Sequence, residues 1–291
     1  MAIWNLGSIN IDRVYRLDSL PQPGETLTSR GHDSGLGGKG ANQSVAAAQA
    51  GAVTHHLGAI GSGDDWVIER LAEKGVGIDH VARMADQVTG HAIIMVDAHA
   101  ENAIVIHPGA NRAIGDDRLA QALAGIGASD TLLIQNETNG QVAAAQTAQV
   151  AGARVIYSAA PFDLEAVRQI LPHVSILAMN EGEAAQLFAA MPGDLPVQGL
   201  LITRGSKGAE YRDLTNGQTH EQASFKVTPV DTTGAGDTFA GYFAAGLDAG
   251  LAIPDALRRA SAAAALQVTR PGAGDAIPSA AEVDAFLADQ S

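Results

Sequence analysis

Apolar residues in this chain come in short runs closed by glycine or polar turns, and alanine-rich stretches with helical spacing lie between many of them. Residues 2–7, Ala-Ile-Trp-Asn-Leu-Gly, read as a first buried strand. Further apolar strands are predicted at 131–134, 155–157, 176–179 and 200–203, alternating with helices near 141–150, 164–170 and 181–189. A strand–helix–strand order calls for a parallel sheet covered by helices. The last quarter reads as three helices, at 235–249, at 254–268 with proline in its first turn, and near 280–288.

Two stretches break this rhythm. Between the first strand and a helix at 41–50 lies a polar insertion with strand signals at 14–17 and a Pro-Gln-Pro-Gly turn at 21–24. Residues 35–40 are expected to be a glycine loop opening that helix. Later, the runs 91–96 and 103–106 flank a polar turn at 97–102, a hairpin pattern. Neither stretch has the apolar content for a core of its own, so together they predict a small separate sheet.

At 291 residues and 46% hydrophobic content, with 33 glycines, the chain can bury a sizeable core as one main domain. Its formal net charge of −14 and four scattered lysines argue against a nucleic-acid or anionic-membrane surface. Cysteine is absent, which excludes disulfide and thiolate chemistry. No apolar run is long enough to span a bilayer, and residues 1–7 lack a leader-like apolar segment, so a cytoplasmic location is expected.

The candidate chemistry centres on Asp231-Thr232-Thr233-Gly234-Ala235-Gly236-Asp237. Gly234 and Gly236 lack bulk and precede a helix, so free N–H groups should gather into an anion site. An aspartate there would repel a bound phosphate, but it makes sense as a base beside a phosphoryl group in transfer. Helix capping is the simpler reading of Asp237 considered alone. Gly35 to Gly40 satisfies G-x-G-x-x-G but follows a polar stretch, and Gly40 stands where a P-loop needs Ser or Thr. Asn10 and Asp12, at alternate positions, either start a turn or bind vicinal hydroxyls. Asn180 to Glu183 reads as a helix cap whose glutamate could also organise magnesium-bound water. The nine histidines form no tight ligand pattern, and no G-x-S-x-G elbow occurs.

Taken together, residues 6–12 (Leu-Gly-Ser-Ile-Asn-Ile-Asp), 21–26 (Pro-Gln-Pro-Gly-Glu-Thr), 37–43 (Gly-Gly-Lys-Gly-Ala-Asn-Gln) and 231–237 resemble, in order, the ribokinase (PfkB) family of carbohydrate kinases. The resemblance spans nearly the whole chain. It implies a three-layer α/β/α sandwich with a mostly parallel central sheet, forming one domain over 1–291. A small β-sheet lid would come from about 10–36 and 89–108. It also implies ATP-dependent phosphorylation of a sugar's primary hydroxyl, with D-ribose the expected acceptor. Deoxyribose, a ketohexose, an acidic sugar or a nucleoside are alternatives, as is a catalytically silent sugar-binding protein.

By the same resemblance, Asn10, Asp12, Gly38, Lys39, Asn42 and Glu137 match sugar-binding positions, while Ala92 and Ile106 of the lid would cover the sugar. Asp237 would be the base, and Gly234, Ala235 and Gly236 the anion hole. Asn180 and Glu183 match an element linked to magnesium and phosphate, and Thr203, Gly205, Ser206 and Gly208 match the nucleotide side. A monovalent cation, expected to be potassium, would be held largely by carbonyls at Asp231, Thr233, Gln267, Arg270, Gly272 and Ala276, the last standing where serine is frequent. Ser158-Ala159-Ala160-Pro161 departs from the usual Asn-Pro-Ala-Pro, and 189–199 is short for the expected helix and turn. The expected partners are a small-molecule sugar, ATP and a second copy of the chain joined through the lid, because a small exposed sheet invites pairing.

Overall fold

The computed structural model describes residues 1–99 and 101–290. The chain opens with β1 (Ile3–Leu6), β2 (Asn10–Arg16), β3 (Gly31–Gly37) and α1 (Lys39–Gln49). Next come β4 (Thr54–Gly61), α2 (Asp65–Glu73), β5 (Gly77–Met84), β6 (Gly90–Val96) and β7 (Asn102–His107). An alternating section follows: α3 (Asp116–Leu123), β8 (Thr131–Gln135), α4 (Gln141–Val150), β9 (Arg154–Ser158), α5 (Leu164–Ile170), β10 (Ile176–Asn180), α6 (Glu181–Ala190) and β11 (Gly199–Thr203). The remaining elements are β12 (Ala209–Asp213), β13 (Thr219–Gln222), α7 (Ala235–Asp248), α8 (Ile253–Gln267) and α9 (Ala280–Asp289).

Nine strands form one sheet in the order β13-β12-β11-β10-β9-β8-β1-β4-β5, parallel except at the β11–β12 and β12–β13 pairs. Successive strand residues point to opposite faces, and the two apolar cores sort accordingly. Leu133, Ile156, Ala178 and Leu201 join α1, α2, α7, α8 and α9 on one face. Leu132, Ile134, Tyr157, Leu177 and Ile202 join α3 to α6 on the other. The result is a three-layer sandwich with the sheet buried on both sides. No helix among the described residues is long and apolar enough to cross a membrane.

A separate four-stranded sheet, ordered β3-β2-β6-β7, is built from the two stretches that interrupt the alternation. Its β3 corrects the expected glycine loop at 35–40. Gly31–Gly37 pairs residue by residue with β2, from Asn10 opposite Gly37 to Arg16 opposite Gly31, and the chain turns only at Gly38, where φ is 92°. Cross-strand pairing overrides the poor strand propensity of glycine here. The glycines also make room, because a Cβ on Gly37 would lie 2.2 Å from the Asp12 carboxylate.

Candidate active site

The N-termini of α1 and α7 converge on one cleft. Gly38 leads into α1 and its N–H face is filled by Glu137, which lies just past the end of β8 and accepts from Lys39 N at 3.1 Å and from Ser8 Oγ at 2.5 Å. Backbones approach so closely at this corner that a Cβ on Gly40 would stand 2.3 Å from Gly7 Cα. The small sheet adds Asn10 and Asp12, which share one face of β2. Asn10 Oδ1 accepts from Asn111 Nδ2 at 2.8 Å, and Asn111 also bonds the backbone of Ile9. Asn111 has no neighbouring motif to announce it, and sequence reasoning missed it. In register with Asp12 across the sheet stand Gly35, Ala92 and Ile106, so all four face the same way.

Asp237 lies in the first turn of α7 and is 9% exposed. Its Oδ2 accepts from Asn42 Nδ2 at 3.1 Å and its Oδ1 from Gln43 Nε2 at 3.0 Å. Asn42 Oδ1, also buried, has no hydrogen-bond partner among the described residues. Four carboxylates surround Lys39. Asp237 is the largest of the influences raising the lysine's pKa, against the opposing effect of burial, and Glu137, Glu183 and Asp12 add to it. Asp12 itself is pushed up to about 6, first by burial and then by Glu137 and Asp237, with Lys39 opposing.

Gly234, in the left-handed region at φ 78°, caps α7. Ala235 N is turned back to Thr232 O at 3.3 Å, and a Cβ on Gly236 would meet open space. Two cavities meet at this helix end. One, of about 210 Å³, is lined by Lys39, Asn180, Glu183, Gly234 and Asp237. The other, of about 560 Å³, is lined by Thr203, Gly205, Ser206 and Gly208 together with Phe225, Val227, Ala264 and Val268. Thr203, Thr232, Ala235, Gly236 and Phe239 border both. The helix end, whose free N–H groups and dipole favour negative charge, therefore sits between a pocket of mixed polar and apolar lining and an apolar-walled one.

Asn180 and Glu183 form a reciprocal capping box at α6, so the cap reading and the cleft position hold together. Gly208, at φ 100°, leaves no space for a side chain, since a Cβ would fall 2.0 Å from Gln222 O. The apolar wall from Phe225 to Val268 was not anticipated. Ala264, Ala265 and Val268, with Ser261, follow one face of α8 at helical spacing, and that pattern alone reads as core.

The residues expected to hold a monovalent cation gather on two adjoining loops. Asp231 accepts from Thr233 N at 2.9 Å and Gly272 N at 3.0 Å, while Gln267 Nε2 donates to Thr233 O at 2.7 Å and Gly272 O at 3.1 Å. Burial raises the Asp231 pKa, but these N–H bonds outweigh it and hold the carboxyl below its usual range. Arg270 directs its guanidinium away to Glu282, and Ala276 is buried on the next turn with no side-chain oxygen to offer.

The sequence pattern of the pfkB family carbohydrate kinases matches residues 3–280. The chain belongs to that family. This pfkB carbohydrate kinase is 36% identical over 299 residues to the ribokinase of Haemophilus influenzae, covering 97% of each chain. Among solved structures, it is similar to Arabidopsis thaliana ribokinase complexed with ribose and ATP (TM-score 0.87, 30% identity, 99% of each chain). It is also similar to the ribokinase of Cryptococcus neoformans var. grubii serotype A in complex with ADP (TM-score 0.85, 33% identity, 98% of this chain and 99% of that one).

Proposed function

We propose that this pfkB carbohydrate kinase transfers the γ-phosphoryl group of ATP to the primary hydroxyl of D-ribose, giving D-ribose 5-phosphate and ADP. The observation that carries this reading is the helix end shared by two cavities. A phosphoryl group in transit must lie between acceptor and donor, where fixed N–H dipoles offset its charge. Asp237 is the base that takes the proton of the acceptor hydroxyl, and Gly234, Ala235 and Gly236 form the anion hole. Asn10, Asp12, Gly38, Lys39, Asn42 and Glu137 bind the sugar, and Asn42 Oδ1, without a hydrogen-bond partner among the described residues, offers an acceptor for a sugar hydroxyl. The small sheet is a lid whose Ala92 and Ile106 cover the sugar and exclude water.

ATP lies along Thr203, Gly205, Ser206 and Gly208, with its base against Phe225 and Val227. An oxygen-only donor set, net negative around Lys39, fits magnesium, and Asn180 and Glu183 would organise it with its waters. The bound ion would offset charge on the phosphates. The loops of Asp231, Thr233 and Gly272 fit a monovalent cation, potassium, because Asp231 is held as a carboxylate and the buried Gln267 Oε1 beside them has no hydrogen-bond partner among the described residues. Ile93, Ile104, Val105 and Ile106 are exposed on the small sheet, which supports a homodimer joined there. The enzyme would act in the cytoplasm.

ADP release measured over pentoses, hexoses and nucleosides, with and without potassium, tests the assignment. Ribose with potassium should be fastest, and a different preferred acceptor would replace ribose in the reading. Asp237→Asn should lower turnover by about 10² to 10⁴ with sugar binding retained. Undiminished turnover in that variant would remove Asp237 as base.

A further inference from the structure

Behind Asp237 runs a line of buried side chains that the reaction as described does not use. Gln43, Gln135, Asn5, Ser44 and His56 are each 0% exposed, and they connect Asp237 to the carbonyl of Gly7 through unbroken hydrogen bonds. Gln43 Nε2 donates to Asp237 Oδ1 at 3.0 Å, and Gln43 Oε1 accepts from Gln135 Nε2 at 2.7 Å. The same Gln135 nitrogen donates to Asn5 Oδ1 at 2.9 Å. Asn5 Nδ2 donates to Ser44 Oγ at 2.8 Å and to Gly40 O at 2.8 Å. Ser44 Oγ lies 2.8 Å from His56 Nδ1, and His56 Nε2 lies 3.1 Å from Gly7 O.

Both ends of this line, a carboxylate and a carbonyl, can only accept. Somewhere along it one group must donate in both directions, and the two hydrogens of the Gln135 amide do so. Every other orientation follows. Gly7 O requires the proton of His56 on Nε2, which leaves Nδ1 to accept from the Ser44 hydroxyl, already an acceptor for Asn5. Burial pushes the His56 pKa down to about 4 despite the Gly7 carbonyl, keeping the imidazole neutral as this order needs. The arrangement leaves Gln135 Oε1 buried without a partner among the described residues. That oxygen sits over Gly7, where a Cβ would be 2.6 Å away. An orphaned buried acceptor is unfavourable, and turning the amide over to relieve it would face Oε1 against two other acceptors.

We propose that Gln43 is a positioning residue for the base Asp237, and that Gln135 acts through it by locking the Gln43 amide with its N–H toward the carboxylate. This rests on the reading of Asp237 as base. With Asn42 on Oδ2 and Gln43 on Oδ1, the carboxylate is fixed at both oxygens, as a base aimed at one hydroxyl must be. The charged groups facing it are Lys39 from α1 and Asp12 from β2, with Glu137 and Glu183 acting on Lys39. Gln43 reaches it from the fully buried, uncharged line.

The test is the pH profile of kcat for Gln43→Leu, Gln135→Met and the double variant, with folding checked by urea unfolding and by ADP binding. A carboxylate that loses a hydrogen-bond donor is harder to keep charged. Gln43→Leu should therefore lower kcat by about ten- to a hundredfold and move the acid limb of the profile toward higher pH, with the sugar KM within about twofold. Gln135→Met should shift the same limb with a smaller loss, and the double variant should be no worse than Gln43→Leu. A purely structural role would lower kcat equally at every pH. Wild-type kcat and acid limb in Gln43→Leu, or losses that multiply in the double variant, would overturn the proposal. If Gln43→Leu does not fold, Gln135→Met decides alone by whether its acid limb moves. Asp237→Asn separates the two ideas: if it keeps full turnover the base reading fails, whereas if it loses turnover while Gln43→Leu does not, only the positioning role fails.

Discussion

The two sheets of this molecule use similar apolar residues and bury them very differently. In the large sheet Leu132, Leu133, Ile134 and Leu177 are all 0% exposed, enclosed by helices on both faces. In the small sheet Ile104, Val105 and Ile106 are 52%, 59% and 57% exposed, and β3 carries Gly31, Gly35 and Gly37, three of its seven positions, where a stable strand would carry bulk. The large sheet supplies stability, and the small one gives up burial to bring groups to the cleft and to present an apolar surface.

This contrast can be broken experimentally. Leu133→Ala should destabilise the fold by about 2 to 5 kcal/mol in urea unfolding, because the site is enclosed on every side. Val105→Asp should change unfolding by no more than about 0.5 kcal/mol, while reducing the light-scattering mass of the proposed dimer to that of one copy. Equal losses from the two would erase the division of labour.

Gly37→Ala sharpens it. The atoms nearest the added methyl are those of the Asp12 carboxylate, which must turn away, so the sugar KM should rise by about ten- to a hundredfold while the unfolding midpoint barely moves. An unchanged KM would detach Asp12 from recognition.

The smallest expected effect is the pH dependence of Asp12. Its folded pKa, about 6, lies above the ordinary 3.8, so between these values the folded chain holds a proton that the unfolded chain has released. Its contribution to stability is present below the lower value and is lost as pH rises through about 6, beyond which the buried charge opposes the fold. Asp12→Asn should therefore raise the unfolding midpoint modestly at neutral pH while weakening sugar binding. In the unsubstituted chain the sugar KM should fall as pH rises through about 6, a limb that Asp12→Asn should lack.

The large sheet was the more legible of the two in the sequence. The apolar runs at β8 to β11 and the helices between them announce themselves because burial on both faces demands continuous apolar strands. In β4 the pair His55-His56 interrupts the pattern, and β3 is too rich in glycine to read as strand at all. At the site, Asp237, Lys39 and Asn42 stand in recognisable segments. Asn111 and Gln135 do not, since each earns its place by reaching partners about a hundred residues away. The apolar wall of Phe225, Val227 and Val268 was hidden for another reason: a cavity lining and a core face show the same periodicity.

The small sheet leaves the rest of the chain at Asn10, one of the residues proposed to bind the sugar. Asn10 and Gly37 bound one excursion, and Gly90 and His107 bound the other. A chimera exchanging these two segments with those of another kinase would carry Asn10 and Asp12 across in the same cut. Recognition and enclosure would then be inherited as a single cassette, so acceptor preference could be recombined without touching the helix end proposed to perform the transfer.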